Sequence, residues 1–218
     1  MKSAAGLSII VAAMLVSLAL LSPSRALADE LPKDTNQIES LTPEQAKTLL
    51  AEFKGQDLYL NGLTTLDADT AKALAEFKGQ YLYLNGLTTL DADTAKALAD
   101  FKGQYLCLNG LTTLDADTAK PLAESKAWDG QLPRISAFES PDSVEIAAAL
   151  ATRKGPLLLR SLTKISPKTL AALIEKEDVE IPLIETLELI QEPDGSPTED
   201  FVIPKGFQAR QKARQQGR

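Results

Sequence analysis

The segments Leu63–Gly86, LTTLDADTAKALAEFKGQYLYLNG, and Leu87–Gly110, LTTLDADTAKALADFKGQYLCLNG, are one 24-residue unit written twice. They differ only at Glu76/Asp100 and Tyr83/Cys107. A looser copy, Leu41–Gly62, precedes them, and a fourth begins at Leu111 and decays after Leu122. Self-similarity at a short fixed period marks a solenoid, whose units bury their apolar faces only against their neighbours. The repeat therefore points to a stacked binding scaffold and leaves the partner unnamed.

Within the unit Asp67–Gly86 the local chemistry is explicit. Asp67 stands where an N-cap carboxylate accepts backbone N–H groups, and Asp69 adds charge favourable to the first turn. Ala71, Leu74 and Ala75 keep i, i+3, i+4 spacing, with Phe77 next, which predicts a short helix with one apolar stripe. Lys78 and Gly79 are expected to close it, the glycine in a left-handed position. The first copy opens instead on Thr42-Pro43-Glu44-Gln45, a capping box with proline at the first helical position. Ser140-Pro141 and Ser166-Pro167 repeat a Ser-Pro start later in the chain. Tyr81-Leu82-Tyr83-Leu84 alternates with period two, a strand with its leucines inward and its tyrosines outward. Asn85-Gly86 predicts a turn tolerant of positive φ.

The sequence Leu82-x-Leu84-x-x-Leu87-x-x-Leu90, repeated as Leu106-x-Leu108-x-x-Leu111-x-x-Leu114, resembles a leucine-rich repeat. The longer pattern LxLxGLTxLxxxxAxxLAxxKG is similar to the repeats of exported planctomycete-type bacterial proteins. The resemblance implies an α/β solenoid of about six or seven units. It has parallel strands on a concave face and short helices on a convex one. The usual repeat carries Asn or Cys where Leu87 and Leu111 stand, so the usual buried polar ladder is expected to be absent. Asn61, Asn85 and Asn109 fall two positions earlier.

The register continues through 135–190, with anchors at Ile135, Leu162 and Leu187 and inward positions at Leu157, Leu159 and, less regularly, Ile184. Pro121 is expected to disturb the fourth helix. Residues 123–134, which hold the single tryptophan Trp128, read as an irregular segment, a kink in one stack or a break between two subdomains. Residues 29–40 and 191–204 read as capping segments, and 41–122 as the regular repeats. The tail 205–218 has five basic residues and no acid, and it reads as disordered.

Residues 1–28 read as a cleaved signal peptide: Lys2, an apolar run from Ala4 to Leu21, Pro23, and Ala26-Leu27-Ala28 with cleavage after Ala28. The expected product is exported, periplasmic or extracellular, with no membrane span after cleavage. An uncleaved anchor is the alternative. Setting aside Lys2 and Arg25 leaves 21 basic against 30 acidic residues, a net of −9. Residues 29–204 alone carry 16 against 30, about −14, which excludes nucleic acid as the partner of the folded body. One cysteine rules out an intramolecular disulfide and leaves a monomer or a Cys107-linked dimer.

In-register stacking places Asp57, Tyr81 and Tyr105 in one outward column, and Tyr59, Tyr83, Cys107 and then Leu158 in another. All four tyrosines of the chain lie there. These six residues from Asp57 to Cys107 are the candidate binding surface, with Cys107 expected to be accessible. The alternative is that the tyrosines serve only as cross-strand stabilisers. The Asp67/Asp69, Asp91/Asp93 and Asp115/Asp117 pairs recur at one place in three units, as helix caps do and a single calcium or catalytic centre does not. With no histidine, no P-loop and no dinucleotide fingerprint, the expected function is non-enzymatic, with no cofactor or metal. The expected partner is a protein or cell-envelope component. A structural envelope or matrix role without a discrete ligand, or glycan binding through the tyrosines, are the alternatives.

Overall fold

The computed structural model describes residues 31–197 and 202–216. The expected signal peptide and its cleavage site lie outside the described residues, as does part of the 191–204 segment. Seven helices alternate with short parallel strands in open sheets among the described residues, an arrangement consistent with a repeat solenoid. In order they are α1 (Pro43–Glu52), β1 (Asp57–Tyr59), α2 (Ala68–Ala75), β2 (Tyr81–Tyr83), α3 (Ala92–Ala99), β3 (Tyr105–Cys107), α4 (Ala116–Glu124) and α5 (Ser143–Ala151). Then follow β4 (Leu157–Leu158), β5 (Lys164–Ile165), α6 (Pro167–Ile174), β6 (Val179–Glu180), β7 (Glu188–Leu189) and α7 (Lys205–Gln216).

Each duplicated unit begins as its residues dictate. Asp67, Asp91 and Asp115 cap α2, α3 and α4, their carboxylates accepting from Thr70, Thr94 and Thr118 N–H at 2.7–2.8 Å. That contact, with the Thr70 hydroxyl beside it, holds the Asp67 carboxyl below its ordinary range. The same threonines reach across the stack. Thr70, Thr94 and Thr118 Oγ1 donate to Leu41, Leu66 and Leu90 carbonyls of the preceding unit at 3.2–3.3 Å. A residue that composition reads as helix filler is thus both third helical residue and inter-unit clamp. Thr42 and Gln45 make the expected capping box of α1, and Ser166 caps α6. Ser140 does not cap α5, which starts after Asp142 with no side-chain cap. Asp142 instead accepts from Ala116 N at the start of α4.

The helices end earlier than the glycines suggest. α2 stops at Ala75, with Glu76 still in right-handed conformation, and Gly79 does not take the left-handed one. A Cβ on Gly79 would stand 2.2 Å from the Phe77 ring of its own unit and 2.5 Å from the Gln56 carbonyl of the neighbouring one, so close approach requires the glycine. Gly86 likewise lacks positive φ, against expectation, and serves close approach. Pro121 removes one helical N–H without breaking α4, which runs through it.

Parallel pairing places Asp57 beside Tyr81 and Tyr81 beside Tyr105, and Tyr59 beside Tyr83 and Tyr83 beside Cys107. Leu58, Leu82 and Leu106 between them are fully buried. The irregular segment continues the pairing on both sides. Leu106 N donates to Ala127 O at 2.7 Å, and Leu158 N to Gly130 O at 2.8 Å. Helices α1 to α6 pack in chain order without interruption at this point. The pairing slips there by two residues, because Trp128 bridges Leu106 while Gln131 bridges Leu158. Leu158 therefore does not extend the Cys107 column, which passes instead to Asp129. In the last unit Val179 fills the buried strand position, and Ile184 lies in a 3₁₀ turn.

Two further expectations fail. A polar ladder is present: Asn61 N donates to Asn36 Oδ1 at 3.3 Å, Asn85 N to Asn61 Oδ1 at 3.0 Å and Asn109 N to Asn85 Oδ1 at 2.9 Å. It runs two positions before the usual site, because the Asn-Gly turn already brings side-chain oxygen to the next backbone. The basic tail is a helix, α7, not an unstructured segment. Phe207 is buried under Arg210, while Gln211 Nε2 and Arg214 Nη1 donate to Pro182 and Val179 carbonyls of the last unit at 2.9 and 2.7 Å. Composition alone misses this, since a single buried aromatic and two carbonyl contacts order the segment.

Candidate functional site

The 24-residue register turns two outward positions per strand into a shelf of aromatic rings. Tyr59 stacks on Tyr83 with centroids 4.5 Å apart and planes 6° from parallel. Tyr81 stacks on Tyr105 at 5.1 Å and 8°, and Tyr81 stands beside Tyr83 at 6.1 Å and 9°. The rings stand like books on adjacent strands, held by a backbone spacing of about 4.8 Å. Tyr59 and Tyr105 are 39% and 45% exposed, Tyr81, Tyr83 and Asp57 half-buried. Stacked pairs of this kind contribute about 0.5–1.5 kcal/mol each beyond burial. Burial, then the neighbouring Tyr59, raises the Tyr83 phenol above its ordinary range.

The stagger of the four rings decides which faces remain free. Tyr59 covers one face of Tyr83, whose other face turns toward Cys107. Tyr105 covers one face of Tyr81, whose other face turns toward Asp57. The surface thus has two steps, one over a carboxylate and one over a small thiol beside Asp129.

Cys107 departs from expectation. It is 8% exposed and buried, because the Ala127–Asp129 segment pairs against β3 at this point. Burial, followed by the negative charge of Asp129, pushes its thiol up to about 12. With this single thiol buried, no Cys107-linked dimer is evident. A thiolate fraction about a thousandfold below that of an ordinary cysteine, together with steric cover, should slow alkylation at pH 8 at least about a hundredfold. Timed iodoacetamide labelling in buffer and in urea checks this; equal rates in the two would refute the burial.

Sequence reading missed the polar cluster behind this edge. Asp129 accepts from Gln131 N and Nε2 at 3.0 and 3.3 Å, and burial raises its carboxyl above the ordinary range. Behind it the buried Arg153 guanidinium lies over Trp128, 4.9 Å from the ring centre. Arg153 also donates to the Ser125 and Trp128 carbonyls, 28 and 25 residues away, which no local pattern reveals. The Asp67/Asp69 pair and its repeats occupy helix starts away from the tyrosine face and act as caps. Among the described residues no cluster of His, Cys, Asp or Glu is placed to hold a metal ion, and no helix is long and apolar enough to cross a membrane. A cavity of about 310 Å³ lined by Arg160, Glu180, Pro182 and Arg214 lies in the last unit, remote in register from the tyrosines.

No protein-family model, curated protein or solved structure matches this chain.

Proposed function

We propose that the chain is an exported, non-enzymatic repeat scaffold of leucine-rich-repeat type. In this reading it binds a protein or cell-envelope component through the strand face. That face is the concave side of the solenoid, and the helices lie on the convex side. The observation that carries the reading is the tyrosine shelf. Caps, leucines, threonine clamps, close-approach glycines and the buried Phe77/Phe101 pair account for most of the other recurring positions, and none of them requires an aromatic residue outside. Tyrosine supplies contact area and a hydroxyl at low entropic cost, which is why it concentrates in recognition surfaces. A contiguous patch of partly exposed rings is uncommon on a surface that meets only water.

The ring geometry weighs between the alternatives. A glycan platform uses open ring faces, whereas here Tyr59 with Tyr83 and Tyr81 with Tyr105 cover one another. Each ring thus keeps at most one free face beside its edge and hydroxyl, a stepped surface that suits a polypeptide better than a stacked sugar. A purely structural role would need only the pairing itself.

The test is the double variant Tyr81→Ala/Tyr83→Ala against the parent chain, with circular dichroism to verify the fold. Recovery of partners from an envelope extract should fall about tenfold or more, as for central aromatic anchors. Unchanged recovery with an intact fold would sink the binding reading, and loss of self-association alone would favour the structural one.

A further inference from the structure

We propose that the tyrosine face is a receptor for cations and takes a basic polypeptide segment carrying two arginines three residues apart. The inference rests on the binding reading above and adds the chemistry of the partner. Its first support is the pairing of free ring face with carboxylate. Tyr81 presents its uncovered face to Asp57, in register on the neighbouring strand, with Tyr59 alongside. Tyr83 presents its uncovered face over Cys107, and Asp129 stands next in that column. A ring face carries negative quadrupole density, so a cation seated on it beside a carboxylate gains from both.

The second support is that no cation of the chain occupies either step. Among the described residues the cations stacked on aromatic rings are Arg153 on Trp128 and Arg210 on Phe207, neither on a tyrosine. Among the described residues neither Asp57 nor Asp129 joins a salt bridge, although eight such pairs form elsewhere; the charge of the buried Arg153 acts on Asp129 only from behind. Residues 29–204, with 16 basic against 30 acidic, add a field that draws positive partners.

Spacing selects a polypeptide over a small organic cation. One to two strand steps across the sheet and two residues along it set the two sites about 10 Å apart. A polyproline-type segment rises ~3.1 Å per residue with three residues per turn, so side chains i and i+3 emerge on one side ~9 Å apart. Arginine fits better than lysine because its planar guanidinium stacks on a ring while its edge reaches a carboxylate.

Isothermal titration of the full chain with blocked glycine-rich peptides tests this. The probes carry Arg-x-x-Arg, Lys-x-x-Lys or Glu-x-x-Glu, with choline chloride as a small cation. The Arg-x-x-Arg peptide should bind most tightly, weakening about tenfold between low and physiological salt. Asp57→Asn, a near-isosteric surface change, should weaken it about three- to tenfold. Equal binding of the glutamate peptide, no peptide binding, or indifference to Asp57→Asn would overturn the proposal. So would choline binding as tight as the arginine peptide. If the proposal fails while Tyr81→Ala/Tyr83→Ala still abolishes partner recovery, the binding reading stands with a different partner chemistry.

Discussion

Gly86→Ala should destabilise the chain by about 3–5 kcal/mol, although Gly86 lies in an ordinary backbone conformation. An alanine Cβ there would sit 2.2 Å from the Asn61 carbonyl oxygen and 2.4 Å from that of Leu63. Both are backbone atoms, Asn61 in the preceding unit and Leu63 at its junction with this one, and neither can rotate away. Relief requires the two units to separate, yet their separation is fixed by hydrogen bonds. Leu60 N donates to Tyr83 O at 2.9 Å, and Asn85 N to Asn61 Oδ1 at 3.0 Å, on either side of the contact. Overpacking costs about 1–3 kcal/mol, and each buried group that loses its partner adds about 1–3 more. Gly195 supplies the contrast. It has φ of +74°, but an added Cβ meets nothing within 4 Å. Gly195→Ala should therefore cost only the left-handed penalty, about 1–2 kcal/mol. Urea midpoints of the two variants measure the difference. A Gly195→Ala loss equal to or larger than that of Gly86→Ala would show that backbone conformation, not unit spacing, selects glycine in the Asn-Gly turn.

The same contrast separates what the sequence shows from what it conceals. Asp67, the Ala71–Leu74–Ala75 stripe and the Tyr81–Leu84 alternation are legible because their partners lie within four residues. The tyrosine columns are legible too, because an exact repeat forces register: once Tyr81 stands beside Tyr105, Tyr83 must stand beside Cys107. Gly79 and Gly86 read locally as a helix stop and a turn, and Thr70 carries no local signal, yet all three meet carbonyls in the unit before. Cys107 occupies a tyrosine position and reads as exposed, but its cover comes from Ala127–Asp129, a segment outside the regular repeat. The tail carries no periodic apolar pattern, and its order comes from Phe207 meeting the last unit. In each case the deciding contact is one that a single unit, read alone, does not contain.

Arg153→Met carries the other large expected effect, a loss of about 3–5 kcal/mol. Arg153 lies just after α5, beside Lys154, and is only 7% exposed. Its guanidinium donates from Nη2 to Trp128 O at 2.5 Å, from Nε to Pro156 O at 3.1 Å and from Nη1 to Ser125 O at 3.3 Å. It therefore binds together the irregular segment and the turn after α5, where the strand pairing slips. Burial lowers its pKa from the ordinary arginine value, opposed by the charges of Asp129 and then Asp178. Methionine keeps much of the volume but leaves three carbonyls without their donor and removes the cation from the Trp128 ring. Each buried carbonyl left without its donor costs about 1–3 kcal/mol, and the three together account for the expected loss. Because stability in a stack of repeats is a sum of units and nearest-neighbour interfaces, weakening one interface should also loosen the coupling across it. Fluorescence of Trp128, the single tryptophan, reports that interface, while far-ultraviolet circular dichroism reports the whole chain. In Arg153→Met the fluorescence transition should precede the dichroism transition in urea, where the parent shows both together. A loss below about 1 kcal/mol with coincident transitions would mean that the stack is held across 125–134 by apolar packing alone.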